Sequence, residues 1–322
     1  MKTSALDFIA CPACKGSLES SEKEDADEVR AGVLLCKRDG TTYTINQGIP
    51  ELILPARREQ AKKQAEEIRA VRTAQGLDIE DWGYYIRLPY PGERITISGN
   101  LRKEPSVPTP LLRLWEDRAA AFEILYNRIR FERAGRVLDL GAGCTWLTSR
   151  IANRFNAIAI DIDAGQFGLG MAEAYLRSGK HYERAAGELA NIPVRDSSMD
   201  LVICAASIEF EDLSLSIPEI RRSLKPGGSL YILDTPIFLS AKGFERGRGL
   251  LEKYYTTIGA GILAQRHQAI FLDHLLEELK TGFRVELIPA ERKITAAKRS
   301  FLSIIRRKEM PIYPIIKATK IS

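Results

Sequence analysis

The sequence predicts an α/β fold, with a doubly wound and mostly parallel sheet that follows a small β domain. Residues 137–140 form an apolar run with Asp139 inside it, as expected for a strand covered on both faces. Gly141 and Gly143 then allow a sharp turn, and a helical pattern follows them. Apolar segments alternate with helical patterns as far as Asp234, which is the order of repeated strand, helix and strand units.

The turn after the first strand of this sheet predicts a pocket for a nucleoside-containing cofactor. Its two glycines leave no side chain between backbone and ligand, and a helix that begins near Thr145 points its free amides at the same place. A second apolar strand ends in Asp161, about 20 residues after the glycines, where a carboxylate can accept both hydroxyls of a ribose. Trp146 stands where a dinucleotide-binding loop has its third glycine, so NAD is the less favoured cofactor.

Three motifs in this order resemble the class I S-adenosylmethionine-dependent methyltransferases of the type 11 kind. They are VLDLGAG at 137–143, the segment 192–203 with its Ile-Pro and Met-Asp-Leu-Val, and LKPGG at 224–228. The resemblance implies a seven-stranded Rossmann-like methyltransferase sheet whose last two strands, 283–288 and 312–321, form an antiparallel edge hairpin. It also implies S-adenosyl-L-methionine as cofactor and in-line displacement of its methyl group by an acceptor.

The same resemblance implies a set of cofactor-binding residues. They are Asp139, Gly141, Gly143, Thr145, Asp161, Glu188 and Leu189. The first three shape the methionyl end, Asp161 holds the ribose, and Glu188 and Leu189 face the adenine. Thr145 replaces the family's third glycine and caps the helix or narrows the pocket. The alternative for Glu188 is a solvated loop acid.

The acceptor side is expected in a substrate-side insertion at about 236–281, because insertions at the carboxyl ends of the strands enclose substrates in this fold. Its candidate catalytic residues are Glu209, His267, Tyr254 and Tyr255. Glu209 is the first candidate for a general base and His267 the second. The alternatives are a salt bridge for Glu209 and structural roles for the others. The chain also resembles a narrower group of these methyltransferases, whose members read roughly GWLSYRLA after the glycine loop. That group tends to have a histidine at the position of Glu209.

The N-terminal region contains a candidate metal site. Cys11 and Cys14 form a CxxC knuckle, and Cys36 and Asp39 follow at a spacing typical of zinc ligands, with an aspartate in the last place. The surrounding pattern resembles the small zinc-ribbon-like domains that serve as methyltransferase activators, some of which have this aspartate. Two alternatives stay open: a ribbon that binds zinc, and a metal-free ribbon held by an apolar core.

The length of 322 residues favours more than one domain. We expect a zinc-ribbon-like domain at 1–55 and a methyltransferase domain at 111–322, whose first helix covers 111–129. Between them, residues 56–110 are expected to form a linker helix and an irregular segment. The alternating charges of 56–71 favour a solvated helix, and the Pro- and Gly-rich stretch 88–110 is a candidate lid.

Composition limits location and partners. The five cysteines give no disulfide framework, which favours a reducing, cytoplasmic setting, and no apolar run is long enough to span a membrane. From Ala290 onward there are nine lysines and arginines and two acids, whereas the whole chain has a net charge of +5. This basic segment can neutralise phosphates of RNA or of a lipid surface, or it is a solvated helix and loop. The oligomeric state stays open.

Three functions remain compatible with the sequence. The first is a methyltransferase that acts on a small-molecule or lipid-intermediate acceptor. The second is an RNA (rRNA or tRNA) or protein methyltransferase that uses the ribbon and the basic C-terminal segment to bind its substrate. The third is a non-catalytic, methyltransferase-like scaffold, against which the intact Asp161 and the glycines Gly141 and Gly143 argue.

Overall fold

The structure, a computed structural model, describes most of the chain. The described residues are 1–21, 28–91, 93–95, 101–103, 109–132, 135–290, 296–297, 299–300, 302–303 and 309–321.

The N-terminal region forms a four-stranded antiparallel sheet in the order of its strands. These are β1 (Leu18–Ser20), β2 (Gly32–Cys36), β3 (Thr42–Asn46) and β4 (Ile49–Pro50). The apolar side chains expected to form its core are all buried, namely Leu18, Leu34, Tyr43, Ile45, Ile49 and Leu52. The predicted small β domain, here called the ribbon, is therefore confirmed.

Along the chain, three helices and a short hairpin follow the ribbon and precede the main sheet. They are α1 (Arg58–Ala74), α2 (Trp82–Arg87), the antiparallel pair β5 (Glu93–Ile95) and β6 (Leu101–Lys103), and α3 (Thr109–Ile129). Helix α3 is the predicted helix at 111–129. The candidate lid at 88–110 lies partly outside the described residues, at 92, 96–100 and 104–108, and its described part includes β5 and β6, so the prediction of an irregular segment is wrong there.

The main sheet has seven strands. They are β7 (Arg136–Leu140), β8 (Asn156–Asp161), β9 (Glu183–Ala186), β10 (Met199–Ala205), β11 (Leu224–Leu233), β14 (Phe283–Ile288) and β15 (Ile315–Lys320), in the spatial order β14-β15-β11-β10-β7-β8-β9. The five strands from β7 to β11 run parallel, and β15 pairs antiparallel with both β11 and β14. This confirms the predicted α/β class and the C-terminal hairpin. The strand order reverses between β7 and β10, and ligands of open α/β sheets bind at such a point.

Helices cover the sheet and its carboxyl edge. They are α4 (Trp146–Ile151), α5 (Ala172–Arg177), α6 (Leu213–Ser223), α7 (Ala241–Thr257), α8 (Gly261–Arg266) and α9 (Leu272–Lys280), with a short parallel pair, β12 (Ile237–Phe238) and β13 (Ile270–Phe271). The insertion expected at 236–281 thus contains three helices, α7, α8 and α9. Among the described residues, no helix combines the length and apolar character needed to cross a bilayer.

The ribbon packs directly on the main sheet beside its edge strand β9. Glu51 forms a parallel bridge with Ala186, and the Leu52 amide donates to the Ala186 carbonyl at 2.9 Å. On the other side of the ribbon, Ile9 forms an antiparallel bridge with Val194. Buried side chains of the ribbon and the sheet belong to one continuous apolar cluster. The ribbon therefore covers a sheet edge that would otherwise expose unpaired backbone groups.

Helix α1 differs from its prediction. Ala61, Gln64, Ala65 and Val71 are buried on one face, whereas the lysines and glutamates lie mostly on the opposite face. The interpretation of 56–71 as a solvated linker helix is therefore wrong for this face. Small side chains at three- and four-residue spacing let α1 approach the rest of the protein closely.

Candidate active site and metal-ligand cluster

A cavity of about 350 Å³ lies at the carboxyl ends of the parallel strands, where the strand order reverses. It brings together eight of the residues expected at the cofactor and acceptor sites: Gly141, Gly143, Asp161, Glu188, Leu189, Glu209, Tyr255 and His267. Asp139, Thr145 and Tyr254 are not among its lining residues. Helices α1 and α3 contribute further lining side chains, so the cavity is shared between the sheet edge and the region that precedes the sheet in the chain.

The two glycines of the loop after β7 are required by their surroundings. Gly141 has φ +75°, and a Cβ there would lie 2.3 Å from Cβ of Ser207. Ser207 is fixed because its hydroxyl donates to the Leu140 carbonyl at 2.6 Å. Gly143 has φ +51°, and a Cβ there would lie 2.7 Å from Nη2 of Arg72. Gly141 therefore needs glycine for conformation and for space, whereas Gly143 needs it mainly for conformation, since the atom in its way is the end of a flexible side chain.

Asp161 joins the glycine loop to the loop after β8. Its Oδ2 accepts from the Gly143 amide at 2.8 Å, and its Oδ1 accepts from the Asp163 amide at 2.8 Å. Burial raises the pKa of Asp161 above its ordinary value. Each carboxylate oxygen has a second lone pair, so Asp161 can hold the loops and still accept a ligand hydroxyl.

Asp139 and Thr145 support the loop from below the cavity. Oδ2 of Asp139 accepts from the amide and the hydroxyl of Thr148 at 3.0 and 2.5 Å. Burial raises the pKa of Asp139 to about 7. Thr145 has φ +61°, and its hydroxyl shares a 2.7 Å hydrogen bond with that of Tyr182. The prediction that the Thr145 side chain caps α4 or narrows the pocket is therefore wrong, since it makes no capping hydrogen bond and does not line the cavity.

Glu188 is buried and paired with a residue from the start of α1. Its Oε1 accepts from Nη2 of Arg57 at 2.7 Å and from Nε at 3.3 Å. Its Oε2 is buried and has no hydrogen-bond partner among the described residues. The alternative of a solvated loop acid is therefore wrong. An unpaired buried oxygen is costly, which indicates a place for a ligand donor.

The acceptor side of the cavity contains two carboxyl groups. Glu209 is 3% exposed, and its Oε2 accepts from the Thr235 hydroxyl at 3.0 Å. Asp234, which sequence reasoning missed, follows β11 with φ +58° and lines the same cavity. Burial raises the pKa of Glu209 to about 7 and that of Asp234 to about 6. Among the described residues Glu209 forms no salt bridge, so that alternative is not supported.

His267 lies beside Glu209 in an aromatic environment. Its Nδ1 forms a short hydrogen bond with the Tyr255 hydroxyl, and its ring stacks on Phe210 with centroids 4.3 Å apart. Its Nε2 is buried without a hydrogen-bond partner among the described residues. Burial lowers the pKa of His267 to about 4, so the imidazole is neutral at pH 7.

Tyr254 does not face the cavity. It is 38% exposed, and its hydroxyl accepts from Nε2 of Gln75 at 3.1 Å. The prediction that Tyr254 faces an acceptor is therefore corrected. Neighbouring positions on a helix point in different directions, and here only Tyr255 points inward.

Several lining residues were not identified from the sequence. They are Gln64, Ile68, Val71 and Arg72 of α1, Gln75 directly after α1, and Trp115 and Arg118 of α3. The residues of α1 recur at the three- and four-residue spacing of one helical face, which is the signal that could have revealed them. The Arg118 guanidinium lies 4.8 Å from the centre of the Trp115 ring.

The four candidate metal ligands of the ribbon form a compact cluster. One donor atom from each of Cys11, Cys14, Cys36 and Asp39 lies within 4.8 Å of the others. The Cys14 and Cys36 sulfurs are 3.4 Å apart, and the Cys11 sulfur is 3.4 Å from Oδ2 of Asp39. Three sulfurs and a carboxylate oxygen are donors that zinc accepts in a tetrahedral site. The donor set therefore fits a structural zinc ion.

Comparisons with known proteins agree with this organisation. Residues 138–232 match the family described as Methyltransferase domain, and residues 2–48 match the Trm112p-like protein family. The chain therefore contains one region that matches the methyltransferase domain family and an N-terminal region that matches the Trm112p-like protein family. The cavity lies at the end of the sheet in the first of these regions, and the cysteine cluster lies in the second.

Individual relatives cover one region each. An uncharacterized methyltransferase of Mycobacterium bovis is 36% identical over 106 residues, which are 31% of this chain and 40% of the relative. The protein thus spans less than half the length of that relative. A UPF0434 protein of Shewanella piezotolerans is 44% identical over 48 residues, which are 15% of this chain and 72% of that protein.

Among solved structures, the YcgJ protein of Bacillus subtilis is 14% identical with a TM-score of 0.48, over 63% of this chain and 99% of that one. Because the identity and the TM-score are this low, the fold assignment rests on the strand order of the protein itself and not on this comparison.

Gly141→Ala should destabilise the protein more than Gly179→Ala. Both glycines have positive φ, so each substitution costs about 1 kcal/mol in backbone strain. Only the Gly141 methyl group would also collide with Ser207, whereas Gly179 has no atom within 4 Å of its Cβ position. Urea denaturation of both variants measures the difference. Equal losses in the free energy of unfolding would mean that Ser207 moves aside without cost.

The purified protein should contain about one zinc ion per chain, as a four-ligand structural site binds. Cys36→Ser should lose the metal, whereas Cys144→Ser, which changes a cysteine outside the cluster, should retain it. Elemental analysis by mass spectrometry measures both. A wild-type protein that stays zinc-free after refolding with zinc would instead establish a metal-free ribbon.

Proposed function

We propose that the protein is an S-adenosyl-L-methionine-dependent methyltransferase that acts on a small-molecule or lipid-intermediate acceptor. The observation that carries this proposal is one cavity whose lining includes both the glycine loop and the carboxyl groups of Glu209 and Asp234. Its volume of about 350 Å³ is within the range of small-ligand sites. The proposed organisation is a ribbon at 1–55, a connecting region at 56–110 and a methyltransferase domain at 111–322.

The lining residues fit S-adenosylmethionine. In this proposal Gly141 and Gly143 leave room for the methionyl part, Asp161 accepts from the ribose, and Glu188 and Leu189 face the adenine; all five residues line the cavity. The unpaired Oε2 of Glu188 would accept from the exocyclic amine of the adenine. When bound, the cofactor supplies an electrophilic methyl group on a sulfonium. The residues of this chain contribute mainly by positioning the acceptor.

Two groups can take a proton from a hydroxyl or amine acceptor. Glu209 is hydrogen-bonded by Thr235 and keeps its carboxylate on the acceptor side of the cavity. The neutral His267 keeps Nε2 without a protein partner among the described residues, while Tyr255 fixes the ring through Nδ1. We assign Glu209 as the general base, because a pKa of about 7 is close to that expected of an efficient base at neutral pH.

An RNA acceptor is the second candidate, but no specific contact favours it. Lys317 pairs with Glu132 at 3.0 Å, and Lys320 donates to the carbonyls of Arg221 and Leu224. These two lysines of the basic segment are therefore engaged within the protein. Arg306, Arg307 and Lys308 lie outside the described residues.

The acceptor class can be tested with methyl-labelled S-adenosylmethionine. The protein is incubated separately with the small-molecule, RNA and protein fractions of a cell extract. We expect label in the small-molecule fraction. Asp161→Ala should abolish labelling because it removes both the loop contacts and the proposed ribose acceptor, whereas Asp196→Ala at an exposed position should not.

The other outcomes of this experiment separate the alternatives. Label in RNA that is suppressed by moderate salt would support the RNA methyltransferase. Label in protein would support a protein methyltransferase. No label in any fraction, together with no binding of S-adenosylmethionine in calorimetry, would support a non-catalytic scaffold.

With the labelled acceptor in hand, kcat/KM should rise with pH through about 7. The reason is that burial raises the pKa of Glu209 to about 7, and only the ionised carboxylate can act as a base. Glu209→Gln should remove this limb of the profile and lower kcat/KM by about 10²- to 10⁴-fold. Glu252→Gln, at an exposed position, is the control. An unchanged limb in Glu209→Gln would assign the proton transfer to another group.

A further inference from the structure

We propose that Arg72 of helix α1 binds the carboxylate of the methionyl part of the cofactor. This inference rests on the proposed function, since it assumes that S-adenosylmethionine occupies the cavity. It adds a residue from outside the methyltransferase motifs to the binding site. It also explains why a charged helix between the ribbon and the sheet has a buried face.

The position of Arg72 is set by the glycine loop. A Cβ on Gly143 would lie 2.7 Å from Nη2 of Arg72, so the guanidinium rests against the side of the loop that faces the cavity. The proposed methionyl part lies over the same loop. An anionic group at that end of the ligand would therefore meet a fixed cation.

Arg72 retains donors for such a ligand. Its Nη1 donates to the Phe167 carbonyl at 2.9 Å, which holds the side chain in place. Nη1 is also 3.8 Å from Oδ2 of Asp163, a distance too long for a hydrogen bond. Among the described residues no acceptor is hydrogen-bonded to Nη2. A guanidinium has five N–H donors and binds carboxylates in a bidentate manner, so Nη2 can engage one.

The two other lining arginines have different neighbours, and the charge of Arg118 acts on the carboxyl groups of Glu209 and Asp234. The Arg118 guanidinium covers the Trp115 ring on the acceptor side, and Arg266 forms a short ion pair with Glu211. Arg72 is the lining arginine that contacts the glycine loop.

Arg69 offers a matched comparison. It lies one turn before Arg72 on α1, and its Nε is 3.9 Å from Oδ1 of the same Asp163. Arg69 does not line the cavity. A role that depends only on neutralising Asp163 would therefore be shared by both arginines, whereas a role in binding the ligand would belong to Arg72 alone.

The test compares two ligands that differ in the methionyl part. S-adenosylhomocysteine carries the carboxylate, and 5′-methylthioadenosine lacks the amino acid portion. We expect Arg72→Ala to weaken binding of S-adenosylhomocysteine by about 10- to 100-fold in calorimetry, as for loss of a hydrogen bond to a charged group. Binding of 5′-methylthioadenosine should change less than about twofold. Arg69→Ala should leave both affinities unchanged.

The outcomes distinguish this inference from the proposed function. Equal loss of both ligands in Arg72→Ala would show that the arginine only supports the loop and would overturn the inference. Unchanged binding of both ligands would overturn it as well. Retained binding of 5′-methylthioadenosine shows that the variant is folded. If the wild-type protein binds neither ligand, the proposed function itself fails.

Discussion

The buried carboxylate of Asp161 holds the two loops on which the cavity depends. One oxygen accepts from Gly143 and the other from Asp163, so the ends of β7 and β8 are fixed relative to each other. Asp139 adds a second tie, from β7 to α4. Hydrogen bonds to a charged acceptor are stronger than neutral ones, which lets two carboxylates set the shape of a loop with left-handed residues. The glycine loop in turn lines the cavity, and Arg72 of α1 lies against it.

The lining of the cavity contains several acidic groups, most of which are buried. The cavity lining includes five carboxyl groups against three guanidinium groups: Asp161, Glu188, Glu209, Glu211 and Asp234 against Arg72, Arg118 and Arg266. His267 stays neutral because burial lowers its pKa to about 4. A bound cation would favour the ionised form of these carboxyl groups, and the sulfonium of the proposed cofactor is a cation. Burial of several carboxyl groups costs free energy of folding, so a bound cation would also stabilise the protein.

The sequence predicted those elements whose conformation depends on residues close together in the chain. Apolar runs located the strands, and the glycines located the loop, because both signals lie within a few residues of each other. The pairing of Arg57 with Glu188 joins residues far apart in the chain, so spacing could not reveal it. The buried face of α1 was missed because alanines and a glutamine form much of it, and these give a weak apolar signal. The outward direction of Tyr254 likewise depends on how α7 is packed.

The chain passes from the ribbon into the helix that roofs the cavity within a few residues, from Leu52 to Arg58. The ribbon and the domain that it covers are therefore always present in equal numbers, and dilution cannot separate them. A tethered partner has an effective concentration set by its linker, which is high for so short a connection. Any property that needs both parts should in consequence be independent of the protein concentration, whereas a domain that recruits a separate ribbon loses that partner on dilution.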